Sequence, residues 1–265
     1  MEKRSIEPIN VRLWLLLVTS FTLLILTIYV SPAEAQRSVP TLSVEVEGGP
    51  LWQSYNDIEV PNDGSATRFS FVDQAGHGPW AAGRLYITWN PGERHGLRLL
   101  LAPLSINESL EPDQDIDFDG ASFEEGVSTD AVYTFNSYRL TYRYSVVHNE
   151  KTTLRIGLTG KIRDAWIDLQ QEGASGRDTD LGFVPLLHLA ADWYMTPSWH
   201  LKLDGDGLVG GAGRAFDVSL KLGYQFADNW SAQIGYRTLE GGSDVDQVYN
   251  FVWQHYTVLS LAWSL

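Results

Sequence analysis

The chain has no cysteine among its 265 residues. That excludes disulfides, a lipid-modified cysteine and every thiolate-based metal site or nucleophile. After Gln36 it also has no apolar stretch near the roughly 20 residues that a membrane helix requires, so any crossing of a bilayer has to use strands. Basic residues are scarce: 19 Lys and Arg stand against 33 Asp and Glu, a formal charge of -14. Phosphate backbones need a net basic face, so nucleic acid is excluded as a partner.

One apolar run does exist, from Leu13 to Val30, preceded by Lys3, Arg4 and Arg12 and followed by Ser31-Pro32-Ala33-Glu34-Ala35. A charged start, an apolar centre and an Ala-x-Ala end make an export signal. Residues 1–35 would be removed and Gln36 would open the mature chain. The run is nearly long enough to span a bilayer, so an uncleaved anchor is the alternative reading.

What is abundant is aromatic and small: ten Trp, twelve Tyr, ten Phe and 24 Gly. From Thr41 onward the polarity alternates with a period of two. Between Asn136 and Val146, Tyr138, Leu140, Tyr142 and Tyr144 fall on one face while Ser137, Arg139, Thr141 and Arg143 fall on the other. The same pattern sets Leu154, Ile156 and Leu158 against Arg155, Thr159, Lys161 and Arg163, and Val218, Leu220 and Leu222 against Asp217, Ser219 and Lys221. These runs exceed the 5–6 residues common in globular sheets and reach the 9–11 or so that cross a membrane. Aromatics bracket the tight turns, as with Trp89 before Pro91-Gly92 and Trp193 and Trp199 around Pro197. A bilayer interface selects such belts, whereas a soluble sandwich has no reason to repeat them.

The expected fold is therefore an all-β, antiparallel up-and-down transmembrane barrel formed by residues 36–265. Ten strands are placed near Leu42–Trp52, Arg84–Asn90, Gly96–Ile106, Phe135–Val147, Thr153–Asp168, Phe183–Tyr194, Trp199–Leu208, Ala215–Phe226, Trp230–Glu240 and Val248–Trp263. Thr67–Asp73 is a further candidate strand above the membrane, and eight or twelve barrel strands are the flanking counts.

Where Phe135-Asn136-Ser137-Tyr138-Arg139-Leu140-Thr141-Tyr142-Arg143-Tyr144 meets its hairpin partner, the sequence resembles the small outer-membrane barrels of Gram-negative bacteria, of the outer-membrane protein A and W types. The resemblance lies in the pattern of nearly the whole mature chain. It implies an outer-membrane location, lipopolysaccharide and lipid as surroundings, and insertion by the barrel-assembly machinery. Substrates of that machinery usually end in Phe or Trp; this chain ends Ala262-Trp263-Ser264-Leu265, so Trp263 or Leu265 would serve.

Three sets of residues are candidates for function. The inward face gathers Arg84, Arg98, Arg139, Arg143, Arg155, Lys161, Arg163, Asp204, Asp206, Asp217, Lys221 and Arg237, with Glu45, Glu47, Asp192 and Lys202 beside them. Charges of both signs in a lumen this narrow either pair and fill it or line a selective, porin-like channel. The segment from Asn107 to Asp130 carries nine acidic residues and no Lys or Arg, which predicts an exposed loop without a cofactor. Within it Asp115-x-Asp117-x-Asp119-Gly120 copies the first half of a calcium loop, but Glu125 stands one place before the closing position, so a divalent cation there is a partial match.

The third set is His255 and Thr257 on the last strand, both on the lipid-facing alternation. Outer-membrane lipid A deacylases use a lipid-facing His-x-Ser pair, with the hydroxyl as nucleophile; here Thr stands where Ser would be. Asp204 and Asp206 have no His beside them in sequence, unlike the Asp–His pair that ten-stranded omptin proteases place at their extracellular rim. The leading expectation is a structural or surface-interaction barrel with a narrow or plugged lumen; a small-solute channel and an outer-membrane enzyme are the alternatives.

Overall fold

A computed structural model describes residues 38–265. The export signal and its cleavage point lie outside them.

Ten long strands close on themselves: β1 (Leu42–Glu59), β3 (Trp80–Trp89), β4 (His95–Ala102), β8 (Thr129–His148), β9 (Thr152–Gln171), β10 (Ala174–Tyr194), β11 (Trp199–Gly210), β12 (Gly213–Ala227), β13 (Trp230–Val245) and β14 (Val248–Ser264). Each pairs antiparallel with its neighbour. The ring is completed by β14 on β1, in register from Ser43 opposite Ser264 to Glu59 opposite Tyr249. A short strand β5 (Ser105–Leu110) continues β4 along the same partner, β8. Pro103 has no amide hydrogen for the ladder, so the strand breaks there, and the ladder resumes with Phe135 N–H donating to the Leu104 carbonyl at 2.9 Å.

The even strand count puts Leu42 and Ser264 at one end, here the near end, with the tight turns at residues 90–94, 149–151, 195–198 and 228–229. The far end carries the two long connections, residues 60–79 and 111–128, and the two-residue turns at 172–173, 211–212 and 246–247. Strands run further toward that end than their sequence pattern indicates: β1 continues to Glu59, β8 begins at Thr129 and β10 at Ala174. Their outward residues turn polar there, which hides the continuation from a reading of apolar alternation.

Outside, the ring presents an apolar band. Leu158 is 63% exposed and Leu187 59%, values that make sense for side chains against hydrocarbon rather than water. Exposed Trp89, Trp193, Trp199, Phe226 and Trp230 girdle the near end, and Phe183 and Trp253 lie toward the far end. Inside, the two halves differ. The near half holds buried charge. The far half holds an apolar cluster containing Leu51, Ile58, Phe71, Phe118, Phe123, Tyr133, Ile167 and Val252.

That cluster exists because both long connections fold inward. The stretch expected as a strand at Thr67–Asp73 forms only a two-residue strand, β2 (Phe69–Ser70), before turning into a short helix, α1 (Phe71–Ala75). Ser70 caps the helix, its hydroxyl accepting the Asp73 amide at 3.2 Å, so the chain turns and drops Phe71 and Val72 into the interior. In the acidic segment a hairpin of β6 (Ile116–Phe118) and β7 (Ala121–Phe123) buries Ile116, Phe118 and Phe123 while Asp117 faces out. The expectation of a loop unable to bury itself is corrected here: its carboxylates stay in water, and the apolar residues between them form a lid. The lid parts are tied together by Thr67 N–H to the Asp117 carbonyl (2.8 Å) and Asp119 N–H to the Val60 carbonyl (2.9 Å).

Candidate functional site in the barrel lumen

Alternation along each strand delivers every second residue to the lumen, and neighbouring strands place these residues in layers. Arg98 of β4 reaches across to Asp204 of β11 with two hydrogen bonds, 2.6 and 3.1 Å. Arg139 of β8 meets Asp206 of β11 at 2.9 Å and Asp217 of β12 at 2.8 Å. Asp217 also receives Arg84 of β3 at 2.8 Å and Arg237 of β13 at 2.5 Å. On β1, Glu47 accepts from Lys221 (2.9 Å) and Arg237 (3.0 Å), while Glu45 accepts from Lys202 (2.9 Å) and Lys221. Arg155 pairs with Asp192 toward the near end. Because β3, β4 and β8 lie across the ring from β11 and β12, the contacts of Arg84, Arg98 and Arg139 span the lumen, while Arg237–Asp217 and Arg155–Asp192 join adjacent strands.

The interior is too dry to leave such charges single. Glu47, Arg84, Arg98, Arg139, Asp204, Asp206, Asp217, Lys221 and Arg237 are all buried, and each has a partner of opposite sign. Arg–carboxylate forks fix both position and orientation, so the lattice is rigid as well as neutralised. Two cations stand apart. Arg143 and Lys161 are buried, and among the described residues neither has a carboxylate within ion-pair distance. Arg163, above them on β9, pairs with Asp180 of β10.

Asp204 and Asp206 therefore sit inside the lattice rather than at the rim. His188 of β10 hydrogen-bonds Asp206 through Nδ1 at 2.9 Å, and Thr159 donates to the same oxygen at 2.8 Å. An Asp–His pair does exist, then, but it is buried and its carboxylate is fully engaged. Sequence proximity hid it, because the two residues belong to adjacent strands.

Above the lattice, on the side of β9 to β13 that the lid leaves free, lies a cavity of about 390 Å³. Its floor is Arg139, Asp206 and Asp217. Its walls include Tyr133, Phe135, Lys161, Leu186 and Val252, and it reaches Gly210–Gly213 at the far end. The glycine pair at the β13 end is required by close approach: a Cβ at Gly241 would stand 2.4 Å from the Arg214 carbonyl oxygen, and one at Gly242 2.1 Å from that of Asn250. Asp178, near the mouth and beyond the apolar band, has a carboxyl raised above its usual range by burial and by its neighbours Asp180 and Asp119.

The other candidates resolve differently. Asp115 accepts the Glu125 amide at 2.9 Å and Asp119 the Arg177 amide at 3.1 Å, so the first carboxylate ties the hairpin's flanks together and the second ties the hairpin to β10. Among the described residues no group of three or more His, Asp or Glu is placed to hold a metal ion. His255 does face outward, but the hydroxyl that reaches its Nε2 is Ser54, not Thr257. Ser54 is the extra residue of a bulge in β1 between Gln53 and Tyr55. The other ring nitrogen meets the Tyr236 hydroxyl at 2.5 Å, and Trp253 lies 5.1 Å away, ring to ring. No spacing in the sequence could have shown a pair 201 residues apart.

No protein-family model matches the chain, and no curated protein does so either. Solved structures do. The translocator domain of the autotransporter NalP from Neisseria meningitidis aligns at 10% identity over 86% of this chain and 90% of its own, with a TM-score of 0.37. The outer membrane protease OmpT from Escherichia coli aligns at 9% identity over 84% of this chain and 96% of its own, with a TM-score of 0.52. At that identity the likeness is one of fold, and the fold it identifies is the transmembrane β-barrel.

Proposed function

We propose that this chain is an outer-membrane barrel with a closed lumen, whose extracellular end is the far end and carries its working surface. The observation that supports this reading is the lattice centred on Asp217 of β12, where cations from β3 and β8 across the lumen and from the adjacent β13 converge on one carboxylate. A water-filled pore leaves such charges on its walls; here they meet in the middle. Short turns alone at the near end, against two long folded connections and extended strand ends at the far end, fit the asymmetry of outer-membrane barrels. Export by residues 1–35 and insertion by the barrel-assembly machinery belong to the same reading. Single-channel recording of the refolded mature chain in a planar bilayer tests it. A folded barrel, shown by β-type circular dichroism, should give no ohmic steps; stable steps would overturn the closed lumen in favour of a small-solute channel.

A second reading has one specific observation behind it. A serine hydroxyl on a histidine nitrogen, at the lipid-facing rim, has the arrangement of a nucleophile and its base. Fluorophosphonate labelling of Ser54, lost in His255→Ala, is its expected signature; an unlabelled wild type removes it.

A further inference from the structure

The cavity above the lattice contains one feature that closure of the lumen does not use. Lys161 is 4% exposed and lines this cavity. Its charged neighbours Arg139, Arg163 and Arg84 are all cations. The carboxylate closest in influence, Asp217, is already held by Arg84, Arg139 and Arg237. The contact available to the ammonium is the face of Phe135, 4.5 Å from Nζ to the ring centre. A ring face offsets only part of the loss of water around a buried ammonium, and an anion entering from the cavity would stabilise the charged form. Among the described residues no carboxylate stands within ion-pair distance of it, since Asp180, Asp206 and Asp217 are held by Arg163, Arg139 and Arg84, and the open side of Lys161 is the cavity.

We propose that the cavity binds a small organic monoanion, its charged group on Lys161 and its apolar body against Tyr133, Phe135, Leu186 and Val252. This rests on the closed-lumen reading, since a floor is needed for the site to be a dead end. The volume, about 390 Å³, suits a molecule rather than a lone ion and falls in the range of ordinary ligand pockets. A single charge is preferred over several because Asp178, Asp180 and Asp206 also line the space and repel a polyanion. Access is from the extracellular side, past Gly210, Gly211, Ala212 and Gly213, whose small or missing side chains leave the mouth open.

The test uses the full mature barrel in nanodiscs of phosphatidylcholine alone, so that no anionic lipid contributes, with 4-(trifluoromethyl)benzoate as probe and its neutral amide as control, followed by fluorine NMR. The benzoate should bind saturably and the amide at least roughly tenfold more weakly, the worth of a charge-assisted hydrogen bond. Lys161→Met should reduce benzoate binding to the level of the amide, and Lys161→Arg should stay within about threefold of wild type. No saturable binding to wild type, equal binding of acid and amide, or unchanged binding to a folded Lys161→Met would each overturn the site. Should Lys161→Met not fold, the discrimination between acid and amide by the wild type decides alone. Conductance of the same preparation separates the two proposals: a silent barrel without binding removes only the ligand site, whereas a conducting barrel removes the closed lumen and, with its floor, the dead-end site.

Discussion

The near and far halves of the lumen fill the same cylinder by opposite means. The near half is built from pairs such as Arg98–Asp204 and Arg139–Asp206, donated by strands that face each other across the ring. The far half is built from Phe71, Phe118, Phe123 and Tyr133, the first three of them in the helix α1 and hairpin β6–β7 folded out of the connections. A wall-to-wall ion pair can be broken only by opening the barrel. An apolar lid resting on one side of the mouth can lift by itself, and it leaves a cavity beside it. Rigidity therefore belongs to the near half and adaptability to the far half.

Predictions follow that contrast from large to small. Asp217→Ala removes the carboxylate that three buried guanidinium groups share and should cost about 3–5 kcal/mol or prevent refolding, read by urea titration in detergent. Phe118→Ala should cost about 3 kcal/mol within the lid. Faster hydrogen exchange in β6 and β7 with an unchanged global midpoint would place that loss in a separable lid; a fall in the global midpoint equal to that of Asp217→Ala would dissolve the distinction between the halves. Replacing Arg98 and Asp204 together by leucine should change stability by less than about 2 kcal/mol, while either substitution alone is costly. A thermodynamic cycle of the four proteins measures the coupling.

Lys161→Met should raise stability by about 1 kcal/mol, because it removes a buried charge that no carboxylate compensates. A loss instead would mean that the ammonium is satisfied within the lumen. The smallest effect is expected at Asp178. Its carboxyl titrates above the usual aspartate range in the folded barrel, so its ionised form is disfavoured there, and the penalty is present above the folded value and relieved below the ordinary value of 3.8. Asp178→Asn should therefore shift the thermal midpoint slightly upward at pH 8 and not at all near pH 3.

Alternation made the barrel wall legible. Once Tyr138, Leu140 and Tyr142 are assigned to lipid, Ser137, Arg139 and Thr141 must face inward, because the side-chain period of a strand is two. The lid was legible only in part: Ile116-Asp117-Phe118 and Ala121-Ser122-Phe123 alternate as strands do, but the density of carboxylates around them reads as solvent. The turn of Phe71 into α1 depended on the cap by Ser70, a local signal easily outweighed by the β-forming residues of Phe69-Ser70-Phe71-Val72. Nothing local could have shown Ser54 beside His255, or His188 beside Asp206, since each pair is made by register between strands.

The sequence by itself determined that the chain forms a wall with one face for lipid and one for charge, because that property repeats every two residues and is local. Only the tertiary structure decided which cation meets which carboxylate, that Lys161 meets none, and that a cavity remains above them. Those outcomes depend on the closure of β14 on β1 and on the distance across ten strands, and a distance across a ring is not a property of any segment of its circumference.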